Sequence, residues 1–115
     1  FYFKEENKLD LATAVSGSGP AYFFLFFLVF ENITNELGFS KKTSKKLVYN
    51  TLEGALALAK KENNIKNLIN SVTSKKGTTE AALKILEKNN VGLYTLMRKA
   101  IYAAHDRSNK ISRLM

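Results

Sequence analysis

A chain of 115 residues and 12.9 kDa has room for one domain with one core. Its 18 Lys plus Arg against 10 Asp plus Glu give a net charge of +8, and 45% hydrophobic residues rule out a disordered composition. The absence of cysteine excludes disulfides, thiolate metal sites and a Cys nucleophile, and a single histidine, His105, is too little for a His-based zinc site or a Ser-His-Asp triad. No G-x-G-x-x-G motif lies between a strand and a helix, so a complete dinucleotide-binding domain is excluded as well.

Phe1 to Leu9 reads as an extended aromatic and then charged tail, without the basic start and long apolar stretch of a signal peptide. Asp10 is a good N-cap for a short helix through Ala14. Ser16-Gly17-Ser18-Gly19 is expected to break that helix, and Pro20 then stands at the first position of a second one, ending near Leu37 with Gly38 as its stop. The apolar run inside this helix, Ala21 to Phe30, covers ten residues, where a membrane span needs about 20. It is apolar on every side, so something must surround it. A small domain cannot do so alone, and a homodimer through residues 20–37 is the expected solution. Tyr22, Phe23, Phe24, Phe26 and Phe27 are accordingly core and interface residues.

Ser40 caps a third helix over about Lys41 to Asn63, with Leu47, Val48, Thr51, Leu52, Ala55, Leu58 and Ala59 as its apolar stripe. Gly54 in the middle of that helix marks the close approach of another backbone. A short helix follows over Ile65 to Ser71, then a polar loop, Thr73 to Thr79. A helix from Thr79 to Asn89 buries Ala82, Leu83, Ile85 and Leu86. The last, from Val91 to Ser112, turns Leu93, Leu96, Met97, Ala100, Ile101 and Ala104 inward. No stretch has the period of a strand, and the fold class is all-α.

Fifteen of the basic residues are Lys, largely in doublets, with only Arg98, Arg107 and Arg113 beside them. Nucleic-acid readers favour Arg, so the charge reads as a solvated exterior and no nucleic-acid partner is expected. His105, beside Asp106 and Arg107, is expected at the half-exposed surface.

Two polar islands remain, Ser16 to Pro20 and Thr73 to Thr79, each preceding a helix start. The first offers two flexible glycines; a tight interhelical turn is the simpler reading of it. In the second, helix N–H groups, the Ser74, Thr78 and Thr79 hydroxyls and the charges of Lys75 and Lys76 suit a carboxylate or phosphate. Simple capping by Thr78 or Thr79 is the alternative. Neither island holds a general base.

Asp10, Thr13-Ala14 and Ser16-Gly17-Ser18-Gly19-Pro20-Ala21-Tyr22-Phe23-Phe24, followed by Val72-Thr73-Ser74, Gly77-Thr78-Thr79 and Arg107-Ser108, resemble the C-terminal domain of the Δ1-pyrroline-5-carboxylate reductases. The resemblance implies a multi-helix dimerisation domain of the 6-phosphogluconate dehydrogenase C-terminal-like type, forming an interlocked homodimer. It assigns residues 10–115 to that helical domain and residues 1–9 to a tail from an N-terminal Rossmann domain outside this chain. It further implies a cytoplasmic enzyme with no membrane contact, reducing pyrroline-5-carboxylate to proline with NADPH or NADH held mainly by that other domain. Ser74 and the N–H groups of Gly77 and Thr78 would hold the substrate carboxylate, and Thr79 would place its hydroxyl by the ring nitrogen. Lys75-Lys76 replace a Pro-Gly pair of the family loop, Leu28 an acidic residue, Asn50 a Gln, and Asn90-Val91-Gly92 a Gly-Phe-Arg turn. These departures keep open a relative that retains only the dimerisation role.

Overall fold

A computed structural model describes residues 6–73 and 77–114 of the chain. Among the described residues six α-helices follow one another: α1 (Glu6–Ala12), α2 (Gly19–Glu36), α3 (Lys41–Lys61), α4 (Ile65–Thr73), α5 (Thr78–Leu86) and α6 (Leu93–Leu114). A π-helical turn, Thr13–Gly17, joins α1 to α2. No strand occurs among the described residues, and the protein is all-α as its sequence requires.

The caps carry the connections. Ser40 takes an extended conformation and its hydroxyl accepts the Thr43 N–H at 3.1 Å, which opens α3 where the sequence places it. Gly38, at φ +114°, closes α2, and its N–H reaches the Asn35 carbonyl at 3.0 Å. The Asn64 side chain opens α4 by accepting the Asn67 N–H at 3.2 Å.

The first helical segment departs from expectation. It begins at Glu6, ahead of Asp10, and Ser16 to Gly19 do not form a loop. Helical bonding widens to the π pattern and is interrupted at Ser18 alone. Pro20 has no N–H to give the carbonyls of the preceding turn, those of Val15 and Ser16. Two hydroxyls bond earlier carbonyls of the segment, Ser16 Oγ to that of Ala12 and Tyr22 Oη to that of Ala14, both at 2.8 Å. As a result Ala14–Glu36 is, by length and composition, helix enough to cross a membrane, which the ten-residue count of the sequence had excluded.

Contacts divide the chain into two compact units, one ending at Phe23 and resuming at Ile85, the other Phe24–Lys84. In the first, α1 and the π turn pack on α6, with Ala14 fully buried. The turn entering α6 is tight: Asn90 has φ +68°, and a Cβ on Gly92 would meet the Leu86 carbonyl and stand 2.5 Å from the Lys88 carbonyl. Those contacts are backbone and cannot swing aside. Gly92→Ala is expected to destabilise the protein by about 3 kcal/mol, read by chemical denaturation.

In the second unit, α3 packs on α4, and the Phe27 ring meets Tyr49 with centroids 5.9 Å apart. Val48 is buried, and so are Ser44 and Thr34, whose hydroxyl returns to the Phe30 carbonyl at 2.8 Å. Thr34 is the one buried residue of α2.

Most apolar residues assigned inward are therefore uncovered within the chain. Leu47 and Leu58 of α3, Ile85 and Leu86 of α5, and Leu93 and Leu96 of α6 are exposed, Ile85 at 73%. Of those sets only Val48 is buried, with Leu52, Ala59, Leu83, Met97, Ile101 and Ala104 half-buried. On α2, Phe23, Phe24 and Leu25 are exposed at 60%, 65% and 61%. The helical periodicity finds an apolar face correctly but does not say which chain covers it. Gly54 is a case in point: a Cβ there would meet nothing within 4 Å, so among the described residues no backbone of another element approaches it.

The chain exposes 9964 Å². A compact monomer of 12.9 kDa exposes roughly 6,300 Å². Two separate globules of half that mass would still expose only roughly 7,600 Å². Taken over two chains, the excess above two separate globules, roughly 4,700 Å², is of the size that obligate homodimers bury, about 2,000–5,000 Å² counted over both partners.

Candidate functional site

The carboxylate-suited island lies in the second unit, where α4 gives way to α5. Ser71 and Thr73 turn their hydroxyls back to the Leu68 and Ile69 carbonyls of α4 and so finish that helix. Ser74, Lys75 and Lys76 lie outside the described residues. Beyond them Gly77 takes φ +71°, a conformation a side chain would strain, and α5 begins at Thr78.

The first bond of α5 runs from the Ala81 N–H to the Gly77 carbonyl at 2.9 Å. Gly77 is thus the cap residue, and Thr78 and Thr79 occupy the first two helical positions. Their N–H groups and that of Glu80 have no acceptor within the helix. This places the helix start one residue before the sequence reading, and it leaves neither threonine as the cap. Thr79 is half-buried while Gly77 and Thr78 are exposed. Glu80, in the first turn of α5, pairs with Lys84 at 3.5 Å on the exposed face. The structure therefore brings Gly77, Thr78 and Thr79 together at one helix start.

The other island does no such work. Ser16 and Tyr22 spend their hydroxyls on the carbonyls of Ala12, at the end of α1, and Ala14, in the π turn, a structural role. His105 is half-buried on α6, its Nδ1 3.7 Å from an Asp106 carboxylate oxygen, in keeping with its assignment to the half-exposed surface. The sequence reading overlooked a third polar cluster, Glu31, Asn32 and Asn35 of α2 beside Lys41 and Ser44 of α3. The i, i+4 spacing of Glu31 and Asn35 signals a shared polar face within an otherwise apolar helix.

Together these features define a class: an all-helical module whose long helix leaves its apolar residues uncovered within the chain and whose fifth helix starts, at Gly77–Thr79, with N–H groups that have no acceptor in the helix. Comparison with known proteins makes that class specific. Residues 6–111 match the family described as pyrroline-5-carboxylate reductase dimerisation. The pyrroline-5-carboxylate reductase of Pseudomonas aeruginosa is 39% identical over 112 residues, 96% of this chain and 40% of its own length. A solved pyrroline-5-carboxylate reductase from Coxiella burnetii superposes with a TM-score of 0.83 at 36% identity, covering 96% of this chain and 40% of that one. A Plasmodium falciparum pyrroline carboxylate reductase, solved with NADP bound, superposes at 0.81 and 34% identity over 90% of this chain and 39% of that one. The chain belongs to the pyrroline-5-carboxylate reductase dimerisation family. It spans about 40% of the length of the relatives it matches.

Proposed function

We propose that this chain supplies the dimer core and the substrate-carboxylate pocket of a pyrroline-5-carboxylate reductase, which reduces 1-pyrroline-5-carboxylate to L-proline with NAD(P)H. The observation that carries the proposal is the helix start at Gly77–Thr79 in a chain that belongs to this family. A carboxylate there gains the N–H groups that α5 leaves unused and the positive end of its dipole. Ser74 and the N–H groups of Gly77 and Thr78 bind it, and the Thr79 hydroxyl lies towards the ring nitrogen. Reduction of an imine that is already protonated needs positioning and charge stabilisation rather than a strong base, which suits a site with no His or Cys.

The nicotinamide cofactor supplies the hydride when bound. Among the described residues there is no strand, and the sequence has no G-x-G-x-x-G turn, so this chain does not fit a dinucleotide by itself. Its binding is assigned to residues outside these 115, in a Rossmann domain to which residues 1–9 are the tail, residues 10–115 being the dimerisation and substrate-binding domain. The homodimer forms through residues 20–37, which places the span-length apolar helix inside a cytoplasmic protein and not in a membrane or on nucleic acid.

The test replaces the matched segment of the Pseudomonas aeruginosa reductase by residues 6–111 of this chain. NAD(P)H oxidation dependent on pyrroline-5-carboxylate is expected, with kcat/KM within about a hundredfold of the parent. A chimera that dimerises without turnover would leave only the interaction role.

A further inference from the structure

Tyr22 stands in the first turn of α2, and its hydroxyl donates to the Ala14 carbonyl back across the π turn, all within the first unit. Ala14 is fully buried, so water cannot stand in for that hydroxyl. The bond depends on the path of the backbone. In an unbroken α-helix residues 14 and 22 lie about 12 Å apart along the axis, beyond the reach of a tyrosine side chain pointing back towards the N-terminus. Here the π pattern over Thr13–Gly17 and the interruption at Ser18 bring the two groups to 2.8 Å. Ser16 makes a different kind of bond. Its hydroxyl returns to the carbonyl four residues earlier, a contact that any α-helix allows. Of the two hydroxyls, only that of Tyr22 distinguishes the π path from a regular helix.

What this bond decides follows from α2 itself. The exposed residues Phe23, Phe24, Leu25 and Phe26 are consecutive, and at about 100° each they cover a full turn. Such a belt offers nearly the same apolar surface at every azimuth, so burial alone selects no face. The winding of the π turn selects one. A π turn closes over five residues where an α turn closes over four, and converting one to the other rotates everything that follows by about 100°. Because the π turn packs on α6, that rotation would turn α2 relative to α6. One polar contact that fixes register among equivalent apolar packings is well attested in coiled coils.

We propose that Tyr22 is the positioning residue of the dimer: its hydroxyl holds the π turn, and the turn decides which side of an all-round apolar helix meets the second copy. The identity of the partner rests on the homodimer reading, while the register is a property of one chain.

Backbone nuclear Overhauser contacts in the full chain test it, since contacts spanning five residues mark a π turn and contacts spanning four an α turn. Tyr22→Phe keeps the ring and removes only the hydroxyl. It is expected to replace the five-residue contacts of residues 13–17 by four-residue ones, wholly or in a second set of resonances. Ser16→Ala loses a hydroxyl bond of the same length and is expected to keep the wild-type pattern. The chain has no cysteine, so a single nitroxide on Glu36→Cys or Lys99→Cys, both at exposed positions, is unique. The distance between copies from at least one of these labels is expected to shift or split by about 5 Å or more in Tyr22→Phe. If Tyr22→Phe loses its helical circular dichroism, adding Pro20→Ala supplies an N–H to the Ser16 carbonyl and should restore the helix in the four-residue pattern. Sedimentation of the wild type tells a failure of the homodimer apart from a failure of the lock. A Tyr22→Phe chain that keeps the five-residue contacts and the wild-type label distances would overturn the proposal. So would a Ser16→Ala chain that changes as Tyr22→Phe does, or a double variant that folds with the π turn intact.

Discussion

Phe24→Asp is expected to convert the protein from a dimer into a monomer at micromolar concentration. The side chain is 65% exposed within the chain and lies in the middle of the apolar run of α2. Neighbouring Leu25 is 61% exposed and points about 100° further round the same helix. No one-sided packing inside a chain explains exposure on both faces; a second copy does. Burying a large apolar side chain is worth about 1.5–3 kcal/mol, and an unpaired carboxylate in its place costs several kcal/mol more. Twofold symmetry applies that loss twice. The dimer dissociation constant should rise by roughly a thousandfold or more. Analytical ultracentrifugation of the chain, Phe24→Asp and Leu25→Asp reads it directly. A wild-type monomer, or dimers that survive both substitutions, would remove α2 as the interface. Loss of helical circular dichroism along with the dimer would show that folding and association are coupled, as in many obligate homodimers.

How far this architecture was legible follows from where each instruction is written. Ser40, Gly38 and Asn64 set helix ends through bonds to residues three or four positions away, so their effects can be read locally. The π turn could not be read that way. It combines a Pro20 with no N–H to give and a Tyr22 Oη that reaches back eight residues to the Ala14 carbonyl. Two glycines and two serines in a row look like a loop until those bonds are counted. Asn90 is another hidden instruction, since its φ of +68° comes from the turn before Gly92 and not from any glycine at that position.

Burial was the least legible property, for a different reason. The stripe on α3 and the apolar belt of α2 are real periodicities, but periodicity is a statement about a helix and not about its neighbour. The belt's demand for a partner could be read because it runs all the way round. Leu47, Leu58 and Leu93 lie on one-sided faces, and nothing in their spacing separates a face covered within the chain from one left for another. At the α5 helix start, the residue types that suit an anion were legible and the register was not. The positive φ of Gly77 moves the cap one residue ahead of the threonines and frees both hydroxyls from capping.

That freedom underlies the second large effect. In the chimeric reductase, Thr79→Ala is expected to lower kcat/KM by about a hundredfold, the usual loss when one preorganised donor is removed from a reacting centre. Thr79 is half-buried at the second position of α5, so its backbone is set by the helix. Removing the hydroxyl should act mainly on kcat if it contacts the ring nitrogen where charge changes during reduction. Gly77→Ala should behave differently. Among the described residues nothing lies within 4 Å of an added Cβ, and the cost is that of the strained φ of +71°, about 1–2 kcal/mol. Under the proposed pocket, relaxing that strain is expected to turn the Thr78 N–H away from the substrate carboxylate and so to raise KM with a smaller change in kcat. The two variants thus separate a group that acts on the reacting atom from one that grips the far end of the substrate. Equal losses in kcat and KM for both would show that the loop merely supports α5, and a Thr79→Ala enzyme with full activity would remove the assignment.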